Sequence, residues 1–431
     1  MARAKKEAAL TPEERLQAAL VPDWQWPHKL PENWCWVYAP HIFDIEYGKS
    51  LPTKQLSDTG YPVFGANGQI GFYSEYMYKQ PQALMSCRGA YSGTMNKSLP
   101  YSYVTSNSLI ISSPRGLMGT DCIYYLFSAL NVSELISGTA QPQVTVQAFD
   151  GFPIPLSPLA EQQRIVERIE SLFAKLDEAK EKAQAVVDSF ETRKAAILHK
   201  AFTGELTAKW REEHGVVMES WEKYKFNELG TLERGRSKHR PRNDPKLFGG
   251  KYPFIQTGDV ARSGMYITEH TQTLSEVGAE QSKLFPKGTL CITIAANIGD
   301  VSILTYDCCF PDSVVGFTPN ERTLSEYIYY LMSTLQREIE ANAPATAQKN
   351  INLRILNDLL LDIPSVAEQT QIVNQVEYLF FQEQHAKEAA EAVLDQIDLM
   401  KKSILTRAFR GELGTNDPSE ESAVELLKQI F

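Results

Sequence analysis

Apolar residues recur at Ile165, Ile169, Leu172, Leu176, Ala179, Ala183, Val186 and Phe190, and the steps of 4,3,4,3,4,3,4 predict a heptad seam along a long helix. The stripe breaks at Arg193 and resumes at Ile197 and Ala201. A second series, Ile372, Val376, Leu379, Glu383, Ala386, Ala390, Val393, Ile397, Met400 and Ile404, keeps the same phase, with Glu383 in an otherwise apolar slot. Small alanines at Ala179, Ala183, Ala386 and Ala390 allow close approach of a partner helix. A helix of ~40 residues is about 60 Å long, more than a ~140-residue domain is wide. The two helices are therefore expected to project and to pack on each other, antiparallel.

Both series belong to one internal repeat. Residues 160–206 align without a gap on 367–413, with 23 of 47 positions identical. The same offset carries Thr139-Ala140-Gln141 onto Thr346-Ala347-Gln348, and upstream it drifts until Trp34 meets Trp221, which means insertions inside the halves. Between the helical stretches the pattern changes to short apolar runs, such as Ser108 to Ser112 and Leu290 to Ala295, punctuated by Gly, Asn, Asp and Pro. These read as compact, mostly-β heads. The division is an N-terminal segment 1–21 near the helix ends, a head 22–157, a central spacer helix 158–214, a head 215–361, a C-terminal spacer helix 362–413 and an acidic tail 414–431. The expected fold class is α+β: two mostly-β domains joined by two long antiparallel coiled-coil helices with internal pseudo-two-fold symmetry.

The formal charge of -10 counts against a nucleic-acid partner until it is divided along the chain. Residues 358–431 hold 6 Lys+Arg against 14 Asp+Glu, and residues 215–357 hold 16 of each, so the acidity sits at the C-terminal end and the heads are near neutral. No run of ~18 apolar residues exists, and the basic N-terminus is followed by no apolar stretch of the kind a secretory signal needs. A cytoplasmic protein without a membrane contact is expected. The six cysteines include no C-x-x-C pair, and the seven histidines form no spaced cluster, so neither disulfide framework nor metal site is signalled.

Enzyme motifs fail as well. Gly48-Lys49-Ser50 has the ending of a phosphate-binding loop, but Phe43 stands where that loop needs its first glycine, and the repeat puts Arg236 at the lysine position. A turn carrying a basic residue is the better reading. G-x-S-x-G, H-E-x-x-H and N-P-P-[FY] are missing, so catalysis by this chain alone is not expected. What the second head offers is a basic, Gly/Pro-broken loop with Arg234, Arg236, Lys238, Arg240 and Arg242, followed by Lys246 and Lys251. Arginine presents a planar fork to phosphate oxygens or a guanine edge. The first head offers a thinner set: Lys49, Lys54, Asn67, Gln69, Arg88, Tyr91, Lys97 and Asn107, in which Asn and Gln can read adenine. A solvated basic loop and ordinary turn residues are the bland alternatives.

The order head, helix, head, helix, with AEQQRIV and FTGEL bracketing the first helix and AEQTQIV and FRGEL the second, resembles the specificity subunit of type I restriction-modification systems. So do Gly65-Ala-Asn-Gly-Gln-Ile-Gly, Arg88-Gly-Ala-Tyr-Ser-Gly93, Thr139-Ala-Gln-Pro, Thr346-Ala-Gln-Lys-Asn-Ile and the N-terminal LTPEERLQAALVPD. The resemblance implies a non-catalytic reader of double-stranded DNA: each head is a target recognition domain for half of a bipartite asymmetric site, and the helices are a ruler. It implies two modification subunits carrying S-adenosylmethionine, and restriction subunits using ATP and Mg2+, with no cofactor in this chain. The motif at Phe202, Gly204, Glu205 and Leu206, repeated at Phe409, Gly411, Glu412 and Leu413, is expected to serve subunit assembly, because a repeated motif cannot distinguish two half-sites. Two other classes stay open at this point: a coiled-coil adaptor binding protein, and a self-contained restriction or modification enzyme.

Overall fold

The computed structural model describes residues 11–113, 116–237, 241–294, 299–341 and 353–431. It divides into two compact units, Met1–Gln184 with Ala392–Phe431, and Ala185–Glu391. The divisions fall inside the long helices. Each head is thus closed by the beginning of one long helix and the end of the other, rather than ending where a separate spacer begins.

The first unit opens with α1 (Pro12–Ala19), started by a Thr11/Glu14 capping box with Pro12 at its first turn. A ladder of β1 (Cys35–Tyr38) with β11 (Pro153–Leu156) joins the ends of the head. Between them lie β2 (Asp44–Tyr47), β3 (Tyr61–Gly65), β4 (Gly68–Tyr73), β5 (Ala83–Ser86), β6 (Met95–Lys97), β7 (Tyr103–Val104), β8 (Ser108–Ser112), α2 (Thr120–Ala129), β9 (Ile136–Ser137) and β10 (Gln143–Val144). They form two main sheets, β2-β8-β5-β6 and β4-β3-β7. The continuous apolar runs of β5 and β8 are buried throughout, as a central strand covered on both faces requires. Ile165 and Ile169 of α3 (Leu159–Asp188) and Leu405, Ala408 and Phe409 further along the chain complete this core.

The second unit repeats the plan. It begins with α4 (Phe190–Phe202) and α5 (Ala208–His214), and β12 (Glu222–Lys225) pairs antiparallel with β22 (Leu360–Ile363) as β1 pairs with β11. One sheet, β13-β21-β18-β19-β15, matches β2-β8-β5-β6 with one strand added, and the other, β16-β14-β20-β17, matches β4-β3-β7 with one added. The ranges are β13 (Gly230–Arg234), β14 (Phe248–Phe254), β15 (Tyr266–Ile267), β16 (Gln272–Leu274), β17 (Leu284–Phe285), β18 (Leu290–Thr293), β19 (Val301–Leu304), β20 (Cys308–Cys309) and β21 (Val314–Pro319). Helices α6 (Thr257–Arg262), α7 (Glu276–Glu280), α8 (Ser325–Ala341) and α9 (Leu353–Asn357) fill the connections. Ala201 of α4 and Ile372, Val373 and Val376 of α10 (Val366–Ala408) lie in its core.

Within each unit the long helices run antiparallel. In the first, Lys401 Nζ meets Asp177 and Lys180 meets Asp398. In the second, Lys387 lies over Phe190, Arg193 pairs with Glu383, and Lys194 reaches Phe380, so rising numbers on one helix meet falling numbers on the other. The two residues that interrupt the apolar seam, Arg193 and Glu383, therefore interrupt it at the same place and satisfy each other.

Three expectations are corrected. The central spacer is not one helix: Ser189 separates α3 from α4, its hydroxyl donating back to the Ala185 carbonyl at 2.6 Å, a bond that bends helices. Gly204, with φ of 78°, then ends α4 before α5. In α10 the seam moves by one residue after Glu383: Ala386, Val393 and Met400 are exposed, while Lys387, Leu394 and Lys401 are half-buried beside the buried Ala390 and Ile397. An α-helix drifts against a strict heptad, and the lysine stems cover apolar surface, Lys401 lying 5.0 Å from the Phe173 ring centroid. Residues 414–431, expected as an acidic tail, are more than an appendage, because α11 (Ala423–Lys428) buries Ala423 and Leu427 in the first core and Arg164 grips Glu420 with two bonds of 2.8 Å.

Candidate nucleic-acid interface

In the first head the loops at one end of the two sheets are tied together by short polar contacts. The Ser108 hydroxyl donates to Gly65 O at 3.0 Å and the Ser86 hydroxyl to Ala66 O, which fixes the β3–β4 turn bearing the exposed Asn67. Cys87 N–H donates to Asn107 O at 3.0 Å, so Arg88 emerges beside Asn107. Lys49 N–H donates to Val104 O at 2.9 Å, and Ser106 N–H returns to Lys49 O at 3.1 Å. Gly89 N–H and the Ser92 hydroxyl both donate to Pro142 O, at 2.9 and 2.8 Å, bringing the Thr139-Ala-Gln-Pro motif to Tyr91. The structure thus gathers Lys49, Asn67, Arg88, Tyr91 and Asn107, all exposed. Gln69 is exposed on the neighbouring β4, and Lys54 is exposed in the separate turn of residues 53–55. Lys97 pairs instead with Asp121 of α2 at 2.8 Å.

In the second head, Arg234 Nε donates to Asp312 O and Arg242 NH2 to Asp312 Oδ2 at 2.8 Å, so both arginines converge on one residue. Arg236 is exposed and has no ion-pair partner among the described residues. Lys246 turns to Asp244 at 3.2 Å, and Lys251 to Glu276 at 2.9 Å. The bond between those last two raises the lysine pKa and lowers that of the carboxyl. Lys238 and Arg240, with Thr346-Ala-Gln-Lys-Asn-Ile, lie outside the described residues.

Arg236 and Arg242 are among the residues lining a concavity of about 470 Å³ against β14 and β16. Asn243, Gln256, Gln272 and Gln281 also line it, and Gln256 Nε2 donates to Gln272 Oε1 at 2.8 Å. Paired amides of this kind present a donor and an acceptor side by side, the pattern an adenine edge accepts. The amide logic applied to Asn67 and Gln69 covers these four, but nothing in their spacing singles them out, since they fall at 243, 256, 272 and 281 with no common period.

The repeated motif after each helix points largely inward. Phe202 packs edge-on against Tyr327 with ring centroids 5.4 Å apart, Leu206 lies against the second core, and Phe409 and Leu413 lie in or against the first. A Cβ on Gly204 would meet Met218, and one on Gly411 would meet Pro31. Glu205 and Glu412 are the exposed members.

Beneath the motif sit two fully buried, repeat-equivalent carboxylates. Glu161 accepts from Trp34 Nε1 at 2.7 Å, Thr415 Oγ1 at 3.2 Å and Asn416 Nδ2 at 2.8 Å. Glu368 accepts from Trp221 Nε1 at 3.1 Å, Thr207 Oγ1 at 2.7 Å and Arg211 NH1 at 2.6 Å. These networks bind strand, helix and cap together. Burial pushes the Cys35 and Cys122 thiols up to about 12, far from thiolate formation at neutral pH. Among the described residues no group of three or more His, Cys, Asp or Glu could hold a metal, and no helix is long and apolar enough to cross a membrane.

The sequence profile described as "Type I restriction modification DNA specificity domain" matches residues 31–187 and again 218–390. The chain is 25% identical to the EcoKI specificity subunit of Escherichia coli K12, across 93% of this chain and 96% of that one. It is 24% identical to the StySPI specificity subunit of Salmonella potsdam, again across 93% and 96%. Among solved structures, the HsdS subunit from Thermoanaerobacter tengcongensis shares the fold with a TM-score of 0.64 at 19% identity, covering 90% of this chain and 99% of that one.

Proposed function

Since this chain belongs to the type I restriction modification DNA specificity family, we propose that it reads a bipartite, asymmetric DNA site, one half with each head, and scaffolds the catalytic subunits of the complex. The observation that carries this reading is one fold plan built twice with different side chains on matching surfaces. The sheet orders correspond apart from one strand added to each sheet of the second head, whereas Lys49, Asn67, Arg88, Tyr91 and Asn107 in one head have as counterpart an arginine and amide set in the other. Two readers of common build and unlike surface suit two unlike half-sites. The long helices set the interval between them.

The chemistry then belongs to partners. Two modification subunits would bring S-adenosylmethionine and methylate adenine, and restriction subunits would bring ATP and Mg2+. Near-neutral heads accord with partners that supply much of the phosphate contact. The exposed Glu205 and Glu412, one per repeat, are the assembly contacts this arrangement favours. The family match weighs against a coiled-coil adaptor that binds only protein.

Methylation mapping in cells carrying the whole operon tests the reading. A two-part methylated motif with an unspecified gap is expected, lost when this chain is deleted. Methylation of a single uninterrupted block, or an unchanged pattern on deletion, would overturn it.

A further inference from the structure

The two heads share one basic position more closely than their sequences disclose. In the first, Gly48 N–H donates to Ser108 O at 3.1 Å and Lys49 N–H to Val104 O at 2.9 Å; in the second, Gly235 N–H donates to Val314 O at 3.0 Å and Arg236 N–H to Phe310 O at 3.2 Å. Gly48 and Gly235 each follow the first strand of their own sheet, and Ser108 and Val314 each open the strand that pairs with it. A Cβ on either glycine would run into two backbone carbonyls, of Val104 and Thr105 or of Phe310 and Pro311. Both glycines are buried, both following basic residues are exposed, and each is followed by serine. Two different sequences thus build the same clamp, which pins the main chain and projects one cation.

Resting on the DNA-reading function above, we propose that Lys49 and Arg236 are equivalent phosphate anchors, each holding a backbone phosphate of its own half-site. A feature common to both heads must contact something common to both half-sites, and in duplex DNA that is the sugar-phosphate backbone, whose contacts position a protein without carrying sequence. The exchange of Lys for Arg at the matched position is compatible with this, since either cation pairs with a phosphate oxygen, the lysine as a point charge and the arginine as a fork. Its surroundings differ in kind: Arg234 and Arg242 converge on Asp312, while Tyr47 stands where Arg234 does. Those arginines are peculiar to one head and free to carry its specificity.

The test uses the complex of this chain with its modification subunits and two duplexes, one bearing the mapped motif and one scrambled, titrated over a series of salt concentrations. Lys49→Gln and Arg236→Gln should each weaken binding to both duplexes alike and lower the steepness of log K against log salt by about 0.9, and together by about twice that. Lys49→Arg and Arg236→Lys should keep both the steepness and the methylated motif. An unchanged salt slope in the Gln variants would overturn the proposal, and so would relaxed methylation of one half-site in Arg236→Lys, which would make Arg236 a base reader. A wild-type complex with no preference for the mapped duplex would overturn the DNA-reading function itself, and shows before any substitution is made.

Discussion

Glu161 and Glu368 occupy the same place in the repeat, yet their partners differ in charge. Glu368 neutralises the buried Arg211 guanidinium, whereas Glu161 receives bonds from the neutral Trp34, Thr415 and Asn416. Removing one member of a buried pair strands the other charge, so Glu368→Gln should cost about 3 to 5 kcal/mol. Glu161→Gln loses the charged acceptor but strands no cation and should cost about 1 to 3 kcal/mol. Urea unfolding of the two variants checks the order; equal losses would mean that Arg211 finds another acceptor. Neither carboxylate could be recognised as buried from AEQ alone, because Glu on a helix is ordinarily solvated. The aligned Trp34 and Trp221 were the available hint, since a buried indole N–H seeks an acceptor.

Among elements, the helix pair carries its register in Arg193 and Glu383. Each sits opposite the other where an uninterrupted seam would be apolar, and a single polar contact of this kind fixes alignment at some expense of stability. Arg193→Leu or Glu383→Leu alone should destabilise by about 1 to 3 kcal/mol, by leaving a half-buried charge unmatched. The double substitution should recover most of that loss. Thermal melts of the three variants decide it, and additive losses would show that the two side chains do not depend on each other. At the helix ends, Phe202, Leu206, Phe409 and Leu413 pack within the fold, so the proposed assembly role is tested at their exposed neighbours. Glu205→Lys with Glu412→Lys should leave the melting temperature unchanged and reduce co-purification of the modification subunits. Full retention of both subunits at raised salt would remove these glutamates from the interface.

For the molecule as a whole, helix length should govern the unspecified gap of the DNA site, with the heads governing its bases. One heptad inserted between Val187 and Asp188 and another between Leu394 and Asp395 keeps the seam in phase and adds about 10 Å. At ~3.4 Å per base pair this is at most about three base pairs. Methylation mapping of the insertion variant should return both half-sites unaltered and a gap longer by about one to three positions. Recovery of the original gap would show that something other than the helices sets the distance.

The heptad steps, the 47-residue repeat and the alternation of heads and helices were determined by the sequence, because periodicity of apolar residues acts locally and leaves its mark in order along the chain. The family motifs were legible for the same reason. Even the pairing of Arg193 with Glu383 was half written there, as two breaks in two seams. What only tertiary structure decided is everything that depends on segments far apart in the chain. The closing of the first unit by residues 392–431 and of the second by α4, the shift of the α10 seam onto Lys387 and Lys401, and the burial of Glu161 and Glu368 arise from packing between distant segments. The glycine clamps belong with them. Gly48 and Gly235 look like turn residues in the sequence, and only the carbonyls of Val104 and Thr105 or of Phe310 and Pro311, far along the chain and brought close by the fold, make a side chain impossible there and leave Lys49 and Arg236 exposed.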